Sequence, residues 1–395
     1  MNDSTPQAFV LGAGVITLGI LRSLGRRGVP VRVFSGEKDD IAHHSRFGRV
    51  ISLHSPGDAL AIATQLVREA SALPSKPVLF VSGDSNLRIA CTQAALLASA
   101  MHVVLPTLDA ALTVLEKDRF QAFAVRHDLP VPRGWTPQTG EELESVIESQ
   151  NLCFPVVLKP QRSGEWRSPD AISALGLVKM LRANSANELR AQWAKVVSLA
   201  GPPVLQEYVS GDDDMHASFV SYVNGAGREL AGFVIRKHRL FPIHGGLATF
   251  AEVKDEPDIA SIGRGIVERL GYRSASSVCF KRDSVTGKPW VFEVNGRLPM
   301  AFAAGTLAGI DPPWIMYRDA LGMPFEQPGS NIGTGRWVAL TQDISAMRQY
   351  RKAGELGLFR WLGSLFRARY IVEFDLLDLG PFLYFLKSHL RRLLR

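Results

Sequence analysis

The sequence predicts an α/β protein in which a Rossmann-like domain precedes a two-lobed α+β region. Two observations carry that prediction. Residues 8 to 106 alternate short β-rich apolar runs with helical periodicity, the signature of a parallel sheet with crossover helices. Residues 216 to 297 instead contain two hairpins, one around Asn224-Gly225 and one around the turn SVTGKP. The 395 residues allow two or three domains, each able to bury its own core.

The first domain, drawn over 1–112, opens with the strand AFVLG, a glycine turn, a helical stretch and the strand VPVRVF. VLFVSGD is a buried strand, IACTQAALLASA a helix of good formers, and HVVLP a further strand. The turn Gly12-Ala13-Gly14-Val15-Ile16-Thr17 resembles half of a dinucleotide fingerprint. Thr17 stands where a third glycine belongs, and the second strand ends at Phe34-Ser35 without a ribose-binding acid. A nicotinamide oxidoreductase is thus a minor reading, and a tight turn or substrate-side contact the main one.

The second region, 113–330, begins with an amphipathic helix over 113–135 that Pro130 and Pro132 halt. A helix near 140–150 leads to the strand FPVVLKP, which ends on a lysine. The polar loop QRSGEWRSPDAISALG has few apolar anchors and is expected to be mobile. PPVLQEYV is a strand with a hinge near 206–211, followed by the acidic turn SGDDD. A helix near 257–270 separates the two hairpins.

Composition narrows the function. Apolar residues at 46% and charged residues at 21% are those of an ordinary globular protein. No run of about 18 apolar residues predicts a spanning helix, and the N-terminus lacks a secretory pattern. The three cysteines form no CxxC pair, so neither a disulfide framework nor a zinc site is expected, and the thiols suit the cytoplasm. The net charge of +7 gathers from Arg348 onward with no nucleic-acid-binding motif, so nucleic acid is not an expected partner.

Five pieces in order carry a resemblance: EKDRF…LPVP, FPVVLKP, VLQEYVSGDD, GFVIRKHRLFP and FEVNGR. Across residues 8 to 325 the chain resembles the ATP-grasp superfamily, nearest its amino-acid ligase branch, which includes D-aspartate ligase. The resemblance implies a Rossmann-like pre-ATP-grasp domain and two ATP-grasp lobes holding ATP and Mg²⁺. It also implies a carboxylate–amine ligase that forms a C–N bond through an acyl phosphate, releasing ADP and phosphate. Phosphoryl transfer is mostly positioning and charge neutralisation, which calls for lysines at the phosphates and oxygen donors at magnesium.

Residue by residue, Lys159 matches the family lysine that reaches the ATP phosphates, and Lys117 a first-lobe phosphate or adenine contact. Lys179 can join them or stay solvated. Gln206-Glu207-Tyr208-Val209 resembles the hinge whose backbone meets the adenine edge. Asp213 sits where the family places a ribose-binding acid, with Asp212 and Asp214 as alternatives and a solvated turn as the plain reading. Glu293 and Asn295 match the metal-binding acid and amide, and at i and i+2 they share one face of a strand. Arg297 continues that face toward the transferring group.

Arg236 and Lys237 are further catalytic candidates, placed over the site by the resemblance. Strict alternation points Lys237 and Arg239 one way and Arg236 and His238 the other, leaving the inward pair open. A solvated basic face is the plain reading of the segment.

One position departs from the pattern. Cys279 stands where the family offers a second oxygen ligand, and a thiol suits magnesium poorly. Either Asp283 or another residue takes that role, or one of the two magnesium sites is weakened. The alternative is therefore an ATP-binding regulatory or scaffolding protein with a degenerate metal site. The remaining segment, 331–395, is a basic, apolar helical tail. Phe382, Phe385, Leu386, Leu390, Leu393 and Leu394 form a stripe beside Lys387, Arg391, Arg392 and Arg395. The stripe is expected to dock on the protein's own core, to join a homodimer, or to lie peripherally on the inner membrane.

Overall fold

The computed structural model describes residues 5–161, 165–176, 178–326 and 333–393. The first sheet is parallel, in the order β3–β2–β1–β4, from β1 (Ala8–Leu11), β2 (Val31–Ser35), β3 (Gly48–Ser52) and β4 (Val78–Val81). β1 is buried along its whole length, as a continuous apolar run at the centre of a parallel sheet must be. The expected strand at 102–106 does not form: only His102 bridges, to Val78. Pro106 has no N–H to donate, and Thr107 already caps the next helix by accepting from Ala110. That edge of the sheet is therefore β4, and the opposite edge is β3, whose mixed composition gave no clear period.

The second sheet is antiparallel, in the order β5–β8–β6–β7, from β5 (Gly134–Trp135), β6 (Val156–Lys159), β7 (Leu181–Ala183) and β8 (Val204–Glu207). Leu143, Leu189 and Trp193 from two helices close its core with Val156, Leu158 and Leu205. Ahead of it, the single helix expected over 113–135 is two helices, Leu108–Leu115 and Lys117–Arg126. Glu116 is extended between them (φ −110°, ψ 117°), which places Lys117 at a helix start. Of the loop expected to be mobile, residues 162–164 lie outside the described residues. Its remainder holds the helix Pro169–Leu175, capped by Ser168.

The third sheet has seven strands, in the order β13–β12–β9–β10–β11–β14–β15. They are β9 (His216–Val223), β10 (Glu229–Phe241), β11 (Leu247–Val253), β12 (Ser274–Arg282), β13 (Pro289–Asn295), β14 (Arg336–Val338) and β15 (Tyr370–Ile371). Both expected hairpins are present. In the first, Asn224 N–H donates to the Arg228 carbonyl at 3.0 Å and Gly227 takes φ +84°, so the left-handed residue is Gly227 rather than Gly225. β14 and β15 come from the C-terminal segment, β14 ahead of its three helices and β15 between the second and the third.

Two contacts lock the layers. Arg22, 2% exposed, donates to Asp378 at 2.9 Å and to the Val372 carbonyl at 2.7 Å, tying the first helix (Gly14–Gly25) to the C-terminal segment. Arg297 donates to Asp84 at 2.7 Å, tying the end of β13 to the first domain.

Candidate functional site

All three sheets open onto one cleft of about 540 Å³. Trp135, Val157, Val204, Ile235, Phe292 and Val294 contribute apolar walls. The charged lining is lopsided: Lys117, Lys159, Lys179, Lys237, Lys281 and Arg297 face it, against Asp118, Glu207 and Glu293. Glu207 is turned to Arg133, whose Nη2 lies 2.6 Å away.

Lys159 ends β6 in the cleft, as its place after an apolar run predicts. Its ammonium donates to Gln206 Oε1 at 2.6 Å and lies 4.5 Å from the Phe292 ring centroid. Burial, with Lys117 and Lys281 nearby and only partly offset by Glu293, lowers its pKa to about 7. Lys117 donates to the Pro160 carbonyl, and burial is the main cause lowering its pKa also. Lys237 Nζ sits 3.8 Å from Cys279 Sγ. Lys281 lies over the Tyr208 ring at 5.1 Å, and its pKa too is lowered, chiefly by burial. His216 registers the same field: burial, Lys237 and Lys281 push its pKa down to about 3.

Glu293 and Asn295 meet on one face of β13, with Asn295 Nδ2 3.3 Å from Glu293 Oε1. The Glu293 side chain is exposed to the open cleft; desolvation by the surrounding walls would raise its carboxyl, but Lys179, Lys237, the Asn295 amide and Lys117 outweigh it and hold the pKa at about 2. A carboxylate and an amide are a sufficient protein share for one hard cation whose other ligands are phosphate and water. Neither Cys279 nor Asp283 supplies an oxygen for a second cation. Cys279 pairs across from Glu293, with Ser218 Oγ and Asn295 Nδ2 each 3.4 Å from its sulfur and the Lys237 ammonium beside it. Asp283 does not replace it: its carboxylate accepts from Ser210 and from the Val285 and Thr286 N–H groups in the hairpin turn, away from the cleft. Among the described residues no group of three His, Cys, Asp or Glu could hold a metal ion.

The other expected residues separate cleanly. Gln206, Glu207, Tyr208 and Val209 line the cleft along the end of β8. Asp213, Asp212 and Asp214 do not; Asp213 is buried, accepting from the His244 N–H at 2.8 Å and from the Tyr350 hydroxyl. It braces the loop that brings Gly245 and Gly246 to the cleft. Arg236 also points away, donating to both Glu256 oxygens at 2.7 and 2.5 Å. A register shift between Lys237 and Arg239 breaks the alternation, so Arg239 turns to Asp343 at 2.8 and 2.7 Å. Lys237 alone of the four basic residues lines the cleft.

The sequence reading missed Lys281. It follows Ser277 and Cys279 at intervals of two, and all three line the cleft. The glycine turn reaches the cleft through Ala13 and Gly14, but Asp40 accepts from the Gly14 N–H at 2.7 Å. A side chain at Gly12 would meet the Ser82 carbonyl at 2.3 Å, so close packing requires that glycine.

No protein-family model matches the chain, and no curated protein matches it by sequence. Solved structures do match its shape. N5-carboxyaminoimidazole ribonucleotide synthetase from Thermus thermophilus superposes with a TM-score of 0.60 at 16% identity, over 84% of this chain and 81% of that one. The biotin carboxylase–βγ-ATP complex from Campylobacter jejuni gives 0.63 at 16% identity, over 83% and 74%. L-amino acid ligase from Bacillus licheniformis gives 0.58 at 16%, over 80% and 75%.

Proposed function

We propose, from the ATP-grasp fold that this chain shares with those enzymes, that it is an ATP- and Mg²⁺-dependent carboxylate–amine ligase of the amino-acid ligase branch, acting in the cytoplasm. The observation that carries the proposal is the cation-rich cleft between apolar walls, which suits a purine joined to a polyanion. Lys117, Lys159 and Lys281 neutralise the phosphates, and the β8 end from Gln206 to Val209 offers backbone groups to the adenine edge. Glu293 and Asn295 would hold one magnesium, which when bound supplies charge neutralisation between the nucleotide's phosphates.

Lys237 and Arg297, both lining the cleft, are assigned to the γ-phosphate and the acyl group. The substrate carboxylate attacks the γ-phosphorus, the bond to ADP breaks, and an acyl phosphate forms. The amine then attacks the acyl carbon, phosphate leaves, and the amine proton passes to solvent or base. Amino acids and sugar acids, screened in pairs with amines by mass spectrometry, test this reading. ADP release that requires both partners, with an amide product, is the expected result.

The Cys279–Lys237 contact favours a second reading, an ATP-binding regulator with an eroded metal site. Tight nucleotide binding without substrate-dependent ADP release in the same screen would establish it in place of the ligase.

A further inference from the structure

We propose that the C-terminal segment 374–391 is a bilayer-docking surface that holds the protein on anionic lipid, independently of the chemistry in the cleft. The tail helix, Gly380–Leu393, turns its aromatic side inward: His44 stacks on Tyr384 at 4.5 Å, and Phe374 meets Phe382 edge-on at 5.3 Å. Core docking, one of the expectations from sequence, therefore accounts for the aromatic half of the stripe. The adjoining side is left out. Leu383, Leu386 and Leu390 follow at i, i+3 and i+7 and are 63%, 40% and 58% exposed. Leu376, Leu377 and Leu379 continue the surface in the preceding turn, at 79%, 58% and 48%. Leu394 and Arg395, with the side chains of Arg392 and Leu393, lie outside the described residues.

Charge selects the occupant. Between 358 and 391 the acids are Glu373, Asp375 and Asp378, and each is turned inward. Glu373 accepts from the N–H groups of Leu340 and Thr341, Asp375 pairs with Arg26, and Asp378 holds Arg22 and Ser45. The cations of the same stretch, Arg360, Arg367, Arg369, Lys387 and Arg391, are all exposed. Earlier in the C-terminal segment, the helix Leu358–Leu365 and its C-cap expose Phe359 and Phe366, 88% and 91%, next in sequence to Arg360 and Arg367. Exposed leucine and phenylalanine with cations outward and acids inward match a surface whose headgroups are negative and whose acyl boundary is apolar. No helix among the described residues is long and apolar enough to cross a membrane, so the surface lies on the bilayer rather than through it.

Sedimentation of the full chain with vesicles tests the proposal. One set is phosphatidylcholine alone, and the other carries about one-third phosphatidylglycerol. The chain is expected to pellet with the anionic set, to stay in solution with the neutral set, and to be released by salt. Leu383→Gln with Leu386→Gln and Leu390→Gln should lower partitioning at least about tenfold. Because these side chains are exposed, melting temperature and nucleotide binding should not change. Lys387→Ser with Arg391→Ser should lower binding to the anionic set about twenty-fivefold, each cation near such a surface contributing about fivefold. Pelleting with neither set, equal pelleting with both, or an unaffected leucine variant overturns the proposal. So does a lipid-free dimer that the leucine variant dissociates, which would assign the face to a second copy.

Discussion

Arg236 and Lys237 follow one another on β10, and their surroundings divide the cations of this protein into two kinds. Arg236 is saturated by the two oxygens of Glu256, as Arg239 is by those of Asp343, and both acids are buried. Lys237 has the sulfur of Cys279, Lys159 the amide oxygen of Gln206, and Lys117 a backbone carbonyl. Among the described residues no carboxylate forms an ion pair with Lys117, Lys159, Lys237 or Lys281. Arginines with buried acids hold the fold together, whereas the lysines gathered without enough negative charge are the ones the proposed function assigns to an anion. A crowded, desolvated ammonium is costly, and the pKa of about 7 at Lys159 expresses that cost.

The largest effect that would sharpen this division is on turnover. Glu293→Ala removes the carboxylate proposed to hold the metal, and should lower ATP turnover on the order of a hundredfold or more. ADP release under saturating substrates measures it, and retention of full activity would place the metal elsewhere.

Next comes the neighbouring pair. Lys237→Ala should weaken ATP binding about tenfold with little change in melting temperature. Arg236→Ala should do the reverse, leaving affinity within about twofold while stability falls by up to about 3 kcal/mol. The loss is limited because Arg282 Nη2 stays 3.3 Å from Glu256. Calorimetric titration beside thermal melts separates the two, and equal behaviour of the variants would erase the distinction.

A third test uses protons. The folded-state pKa of Lys159, about 7, lies below its ordinary 10.5, so the free cleft loses this proton as pH rises through 7. A bound polyphosphate favours the ammonium and raises that value. Binding at pH 8 should therefore take up close to one proton, and affinity should fall as pH rises further. Titrations in two buffers of different ionisation enthalpy read the uptake directly.

The smallest expected effect concerns the glycine turn. Asp40→Asn weakens the acceptor at the Gly14 N–H and should cost about 1 kcal/mol of stability. ATP affinity should not change, and neither form should bind NADH. NADH binding by either would revive the dinucleotide reading of that turn.

What the sequence disclosed follows how local its cause was. The two hairpins rest on turn residues and period-2 alternation inside one short stretch, and both are present. Lys159, Glu293 and Asn295 are polar residues on otherwise apolar strands, which is enough to mark them. Arg236 and Asp213 resembled site residues as strongly. Their partners, Glu256 for one and His244 with Tyr350 for the other, lie 20 to 137 positions away and leave no local trace. The register shift at Lys237 is set by pairing with β11, so strict alternation misdirects Arg239. Lys281 was accessible: counting by two from Ser277 through Cys279 reaches it. β14 joins by long-range pairing to β11, which the missing alternation after residue 335 concealed.

Titration of ATP into the full-length chain at pH 7, beside Lys159→Ala, bears most directly on the claim that the uncompensated lysines await a polyphosphate. The wild type should bind ATP at one site. The variant, losing charge-assisted contacts of about 1.5–3 kcal/mol, should bind at least about tenfold more weakly with its fold intact. A wild type with no affinity for adenine nucleotides, or a folded variant that binds ATP equally well, would contradict it.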